Sequence, residues 1–150
     1  MENPLQKYKH LIGELEQSAN EIAQKHHIEH LGGPQGKVLY YLFKHQDRDI
    51  FVKDIEQWLA ISKSVASNLV KRMEKNGFIR LETSSRDKRY KRLVLTEEGM
   101  SKIAPLEKFH IELMKVLFAG IDPQDRMAVD RIYHQLRQNI ERYRDGKTFK

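Results

Sequence analysis

The sequence of 150 residues contains no cysteine. This absence excludes a disulfide framework, a thiolate zinc site, a cysteine nucleophile and sensing by thiol oxidation. A long apolar run is also missing, and the mean hydropathy of −0.69 argues against a membrane span. The first residues, MENPLQKYKHLIGELEQ, lack the apolar region of a signal peptide. We therefore expect a cytoplasmic protein with no membrane partner.

The residue patterns of common enzyme sites are missing as well. The chain has no glycine-rich phosphate loop, no Ser-His-Asp or Cys-His frame, and no paired carboxylates in a distinctive motif. It contains no internal repeat and no low-complexity segment. The sequence therefore predicts that the protein is not an enzyme.

Acidic residues are scarce in one segment, residues 61–92. This segment holds ten Lys and Arg against three acids, a local net charge of +7, whereas the whole chain carries +6. The rest of the chain is therefore close to neutral. Because a merely solvated surface would intersperse both signs, this concentration indicates a polyanionic partner, and we predict double-stranded DNA.

The basic segment begins with a predicted helix that ends at Asn76-Gly77. At about 100° per residue, its apolar side consists of Val65, Ala66, Leu69, Val70 and Met73. The opposite side combines short polar side chains, which allow close approach to base edges, with cations that reach phosphates. The candidate DNA-binding residues on this helix, including its predicted N-cap, are Ser62, Lys63, Ser64, Ser67, Asn68, Lys71, Arg72 and Lys75.

Beyond Gly77 the apolar pattern changes from helical to alternating, which predicts a two-stranded hairpin over about residues 78–95. The loop between the strands is too polar to be buried. An arginine on such a projection suits a narrow, electronegative minor groove. The candidate DNA-binding residues of this loop are Arg86, Asp87, Lys88, Arg89 and Lys91.

The flanking sequence predicts further helices by the spacing of its apolar residues. They cover about residues 4–30, 33–45, 52–60, 96–120 and 122–146, with a bend at Pro105, a cap at Thr96 and a cap at Asp122. Ile50 and Phe51 are candidates for a short strand beside the hairpin. The tail DGKTFK is expected to fray.

These elements predict a mainly α fold with a small β-hairpin wing. We predict one domain over residues 1–150 with a winged helix-turn-helix lobe at about 34–96. Within this lobe, the helix-turn-helix covers about 52–76 and the wing about 78–95. The terminal helices, at about 4–30 and 122–146, are longer than a small core needs, so we expect them to form a dimerisation region.

Residues 34–146 resemble the MarR family of bacterial transcriptional regulators. The matching pieces are PQGKVLYYL, DIEQWLAISKSVASNLVKRMEKNGFI, the wing SSRDKRYKRLVL with its Asp87-x-Arg89 element, and LTEEG at 95–99. The resemblance implies a sequence-specific homodimer that binds a pseudo-palindromic operator, mostly as a repressor. It also implies a small aromatic or anionic effector in the cleft between the dimer arms and the DNA-binding lobe.

The resemblance assigns roles to particular residues. Arg89 would enter the minor groove while Asp87 holds its loop. The residues that would face bases and phosphates are Ser64, Ser67, Asn68 and Lys71. Trp58 departs from the family pattern, in which this position is usually polar and variable, and its role stays open.

Other functions fit parts of the same sequence. The seven histidines could make the protein a metal-responsive regulator, with His26 and His30 one helical turn apart as candidate ligands. No third ligand stands at a diagnostic spacing, so we predict neither a metal nor a cofactor. A winged-helix module that binds proteins, or an architectural protein without operator specificity, is the other alternative. The joint presence of a basic helix and a basic wing favours DNA binding over the protein-binding module, and competition between a specific site and random duplex would discriminate the architectural alternative.

Overall fold

The computed structural model describes residues 3–146. It is mostly helical with one antiparallel hairpin, which confirms the predicted fold class. The elements are α1 (Pro4–Lys25), α2 (Pro34–Lys44), α3 (Val52–Leu59), α4 (Lys63–Lys75), β1 (Ile79–Thr83), β2 (Lys91–Leu95), α5 (Glu97–Ser101), α6 (Ile103–Leu117) and α7 (Pro123–Arg144). None of the helices in this part of the chain has both the length and the apolar character that crossing a bilayer requires.

The chain divides into two compact units, Met1–Leu113 and Met114–Lys150. The core of the first unit gathers the apolar side of each helix and strand. On α4, all of the residues predicted to face inward are buried except Val65, which is exposed. The largest fully enclosed side chains of this core include Ile28, Leu31, Leu39, Ile55, Leu69, Met73 and Ile79.

The hairpin pairs β1 with β2 in antiparallel register, with Ile79 opposite Leu95 and Leu81 opposite Leu93. The prediction of a short strand beside the hairpin, at Ile50 and Phe51, is wrong. Ile50 contributes only its carbonyl, which accepts a 2.8 Å hydrogen bond from the N–H of Leu93. Phe51 is already the N-cap of α3, and its N–H donates to Asp54 at 2.8 Å, so the chain turns into a helix here.

α1 ends at Lys25, earlier than the predicted boundary near residue 30. His27 takes a positive φ of 57° and donates its N–H to the carbonyl of Gln24. The N–H of Ile28 then bonds back to the carbonyl of Ala23, which completes a helix-ending motif of the Schellman type. Ile28 and Leu31 are both buried, so core packing favours the turn over a longer helix.

The helix predicted over residues 96–120 is two helices, with a break at Lys102. Thr96 caps α5 as predicted, because its hydroxyl accepts the N–H of Gly99 at 3.0 Å. Pro105 has no N–H to continue a helix from α5. The break upstream places Pro105 in the first turn of α6, where a missing N–H costs little. The apolar spacing over residues 96–120 predicts that Val116 is buried, but Val116 is exposed.

In the second unit, Asp122 caps α7 as predicted and accepts the N–H of Gln124 at 3.0 Å. The described helix buries none of its own residues. Its apolar side chains at helical spacing are all exposed: Val129, Ile132, Tyr133, Leu136, Ile140 and Tyr143. The predicted fraying of the tail concerns mainly residues 147–150, which lie outside the described residues.

Candidate nucleic-acid interface

The helix α4 begins where the sequence predicts. The hydroxyl of Ser62 accepts the N–H of Val65 at 3.2 Å, which satisfies one of the free donors at the start of the helix. The turn from α3 is tight because Ala60 takes a left-handed φ of 53°. At the other end, Asn76 is the C-cap and Gly77 has a φ of 82°. These caps fix both the start and the length of the helix.

All eight residues predicted as DNA contacts on α4 lie on the surface. Ser67 is partly buried and the others are exposed. The apolar side of α4 is buried in the core, so the polar side faces outward as a consequence of the same amphipathic pattern. Whether these residues touch DNA stays a prediction.

The tip of the wing is organised around one ion pair. Arg89 donates to Asp87 through Nη2 at 2.8 Å and Nε at 3.1 Å, and its backbone N–H donates at 3.0 Å. These hydrogen bonds lower the pKa of the Asp87 carboxyl below its ordinary 3.8. A carboxyl with a depressed pKa keeps its stabilising charge at neutral pH and loses it only as the pH falls through that lowered value. The loop is therefore held in place across the physiological range.

The unpaired positive charge is concentrated on α4 and the wing tip. Arg80 and Arg92, which contribute to the charge of the basic segment, both bind Glu82 at 2.7 Å. The two arginines, Arg80 first, lower the pKa of the Glu82 carboxyl and keep it ionised. Within residues 3–146, the cations of the segment that form no ion pair are Lys63, Lys71, Arg72, Lys75, Arg86, Lys88 and Lys91.

Sequence reasoning missed several residues around the wing. Tyr90 is exposed at the tip, with the Arg89 guanidinium 5.6 Å from its ring centroid and the Phe51 ring edge-on at 5.9 Å. The sequence signal for Tyr90 was an aromatic residue inside a polar loop. Ser84 is buried at the base of the turn, where its hydroxyl donates to Asp49 at 3.0 Å. A serine in a polar loop gives no sequence signal for such burial.

The role of Trp58 is resolved in part by its neighbours. Its ring stacks on Tyr41 of α2, with centroids 4.7 Å apart. Tyr41 also stacks on His45, at 4.2 Å, and accepts a hydrogen bond from Arg48 at 3.0 Å. Trp58 therefore covers α2, while its side chain keeps part of its surface exposed.

The two candidate metal ligands are not brought together on a helical turn. α1 ends before both of them, and His30 follows the turn with a φ of 71°. His26 instead pairs with Glu112 of α6, which Lys25 also binds at 2.8 Å. Hydrogen bonds from Lys25, first, and from His26 lower the pKa of the Glu112 carboxyl. Residues 3–146 contain no group of three or more His, Asp or Glu side chains arranged to hold a metal ion.

Comparison with known proteins identifies the lobe. A profile described as the MarR family matches residues 31–89. The uncharacterized HTH-type transcriptional regulator YwoH of Bacillus subtilis (strain 168) is 28% identical over 134 residues, which are 87% of this chain and 96% of that protein.

Solved structures extend the likeness to nearly the whole chain. The heme sensor protein PefR from Streptococcus agalactiae, in complex with heme, is 46% identical, with a TM-score of 0.71 over 93% of this chain and 95% of PefR. A DNA complex of MepR from S. aureus has a TM-score of 0.79 at 19% identity over 92% of this chain and 96% of MepR, which is a likeness of fold. The chain belongs to the MarR family of winged-helix transcriptional regulators.

Proposed function

We propose that this chain is a homodimeric repressor that binds a pseudo-palindromic operator through α4 and the wing, and that heme is its effector. The observation that carries the DNA-binding part is the set of unpaired cations on the exposed side of α4 and on the wing tip. Short polar side chains lie among them, at Ser64, Ser67 and Asn68. This combination suits base edges in a major groove flanked by phosphates.

The homodimer is supported by the exposed apolar faces of the terminal helices. α7 exposes its apolar residues along its length, and α1 exposes Leu5, Tyr8, Leu11 and Ile12. A monomer in water rarely leaves apolar patches of this extent uncovered. A second copy of the chain would cover them with the same surface by two-fold symmetry. Two recognition helices would then match two half-sites about one helical turn apart.

Operator specificity separates this proposal from an architectural protein. Duplexes selected by the purified protein should compete against random duplex with a specificity ratio of roughly a thousandfold or more. A ratio near one would support sequence-indifferent binding instead. An absence of attraction to any duplex would favour the protein-binding module.

Arg89→Ala tests the contact of the wing with the minor groove. We expect the affinity for the selected operator to fall roughly tenfold to a hundredfold, because an arginine that enters a narrow groove contributes directly to binding. Thermal stability should change little, since the side chain is 81% exposed. Affinity is measured by fluorescence anisotropy with a labelled operator. Arg48→Ala, an exposed arginine held by Tyr41 on the same lobe, is the matched control.

Equal losses of affinity for Arg89→Ala and Arg48→Ala would contradict the wing contact, because they would reflect only the loss of one positive charge. A large loss of thermal stability in Arg89→Ala would contradict it too. The arginine would then stabilise the fold of the hairpin and would not contact the minor groove.

Heme combines the two properties expected of the effector, since it is a planar aromatic ring system with two carboxylates. The 46% identity with the heme sensor PefR supports this ligand. Histidine is a common axial ligand of heme iron, and it needs a free ring nitrogen. In the described part of the chain, the exposed histidines without a hydrogen bond or ion pair are His27, His30 and His110.

The other four histidines are already engaged. His10 pairs with Glu14, His26 with Glu112 and His134 with Asp130. His45 lies 2.8 Å from the Tyr41 carbonyl through Nδ1. His27, His30 and His110 are therefore the histidines that would hold the heme iron.

Titration with hemin should give a saturable shift of the Soret band with one heme per protomer, and heme should release the labelled operator. Alanine at whichever of His27, His30 and His110 would hold the iron should abolish the Soret shift while leaving operator binding by the heme-free protein intact. His134→Ala is the control, because that ring is engaged by Asp130. If the triple alanine variant binds hemin as the unmodified protein does, the histidine assignment is wrong. If hemin binds without releasing the operator, heme is not the effector.

A further inference from the structure

Ser84 is the one buried polar side chain among the described residues, with 2% of its surface exposed. A buried hydroxyl is tolerated when it is fully hydrogen-bonded, and this one has three partners. It donates to the Asp49 carboxylate at 3.0 Å and accepts the backbone N–H groups of Arg86 at 3.2 Å and Asp87 at 3.4 Å. The serine thus joins the wing turn to the segment between α2 and α3.

The segment 49–51 holds the wing at three successive residues. Asp49 accepts from Ser84 and lies 3.6 Å from the Arg92 guanidinium. The carbonyl of Ile50 accepts the N–H of Leu93, and Phe51 contacts Tyr90. An isolated two-stranded hairpin is only marginally stable, so these contacts help determine where the wing points.

A short path of hydrogen bonds leads from Ser84 to Arg89. The Ser84 hydroxyl holds the N–H of Asp87, and the Asp87 carboxylate holds the guanidinium of Arg89. The backbone N–H of Ser84 also donates to the carbonyl of Tyr90 at 2.9 Å, which closes the turn. A change at Ser84 would therefore reorient the loop that presents Arg89.

We propose that the Asp49–Ser84 hydrogen bond is a latch that positions Arg89 for the minor groove. The inference rests on the proposed function, because it takes the wing to contact DNA. Ser84 and Asp49 are then positioning residues that do not touch DNA themselves. If Ser84 served only to let the turn fold, its contribution to operator binding would be independent of Arg89.

A double-mutant cycle on operator affinity separates these two roles. Ser84→Ala should weaken binding about fivefold to tenfold, and Arg89→Ala should weaken it more. The double variant should bind no more weakly than Arg89→Ala alone, because an arginine that is absent cannot be mispositioned. Losses that simply multiply would overturn the latch.

Asp49→Ala provides a second variant at a less buried position, which keeps the inference testable if Ser84→Ala folds poorly. It should reproduce the loss of affinity and the coupling to Arg89. The matched controls are Ser85→Ala and Asp47→Ala, exposed neighbours that make no side-chain hydrogen bond within residues 3–146. Both controls should bind within about twofold of the unmodified protein. An Asp49→Ala variant with unchanged affinity would overturn the proposal.

Footprinting on the selected operator distinguishes positioning from a general loss of structure. Ser84→Ala should lose hydroxyl-radical protection in the minor groove while keeping protection of guanine N7 in the major groove, where α4 binds. Loss of both kinds of protection would mean that the serine acts through the whole lobe, and the latch would be wrong.

An Arg89→Ala variant with full affinity would overturn both the latch and the wing contact of the proposed function. If Arg89→Ala binds the operator weakly and the affinity losses of Ser84→Ala and Arg89→Ala multiply in the double variant, only the latch proposal is wrong.

Discussion

Replacing Leu136 by aspartate is expected to convert the protein into a monomer with about a hundredfold to ten-thousandfold weaker operator binding. Leu136 lies in the middle of the apolar face of α7 and is 50% exposed in the single chain. In a two-fold interface the substitution would bury two carboxylates, one from each copy, without partners. Losing the second half-site removes the gain from bivalent binding, which sets the size of the effect.

Sedimentation velocity and anisotropy on the same samples measure the two parts of this prediction. Gln138→Asp is the matched control, because it adds the same charge at an exposed polar position of the same helix. We expect the control to remain a dimer with unchanged affinity. A Leu136→Asp monomer that binds the full operator as tightly as the unmodified protein would contradict the two-half-site arrangement.

Raising the salt concentration is expected to weaken operator binding by a factor as large as that of Leu136→Asp, or larger. If each protomer contacts about four to six phosphates, the logarithm of affinity should fall against the logarithm of salt with a slope of about −7 to −11. Between roughly 50 and 200 mM salt, this corresponds to a loss of about four orders of magnitude or more. The physical cause is the release of counterions from DNA by the cations of α4 and the wing.

Lys71→Ala should make this slope shallower by about two for the dimer, since each protomer loses one phosphate contact. Lys108→Ala, which removes an exposed lysine from α6, is the control and should leave the slope unchanged. A slope near zero for the unmodified protein would rule out the phosphate contacts. Equal changes for the two lysines would show that total charge, and not the α4 surface, controls binding.

The elements of the interface could be predicted because their signals are local. The apolar spacing on α4, the cap at Ser62 and the Asn76-Gly77 stop each depend on a few neighbouring residues, and all three appear in the structure. The hairpin could be predicted in the same way, from the change to an alternating pattern of apolar residues after Gly77. Local periodicity therefore placed α4 and the hairpin correctly along the chain.

The errors came from interactions between distant parts of the chain. Burial of Ile28 and Leu31 in the core, rather than any helix-breaking residue, ends α1 at Lys25. The apolar face of α7, which the sequence assigns to a dimerisation region, is exposed in the single chain. Periodicity identifies an apolar face, and it does not say which molecule covers that face.

The candidate site shows the same limit at the level of side chains. Arg80 and Arg92 counted as free positive charge in the sequence, yet both pair with Glu82, Arg80 from the same strand and Arg92 from across the hairpin. Ser84 looked like an ordinary loop residue, although it joins the wing to Asp49. Pairings of this kind depend on strand register and on loop packing, which a count of residue types does not contain.

The position of Trp58 has a practical consequence for all of these experiments. It is the chain's only tryptophan, and its indole rests on Tyr41 within the DNA-binding lobe. Its fluorescence emission therefore reports on the environment of this lobe. A shift to longer emission wavelength would signal melting of the lobe, so one optical measurement can separate a loss of operator binding caused by unfolding from a loss in the folded protein.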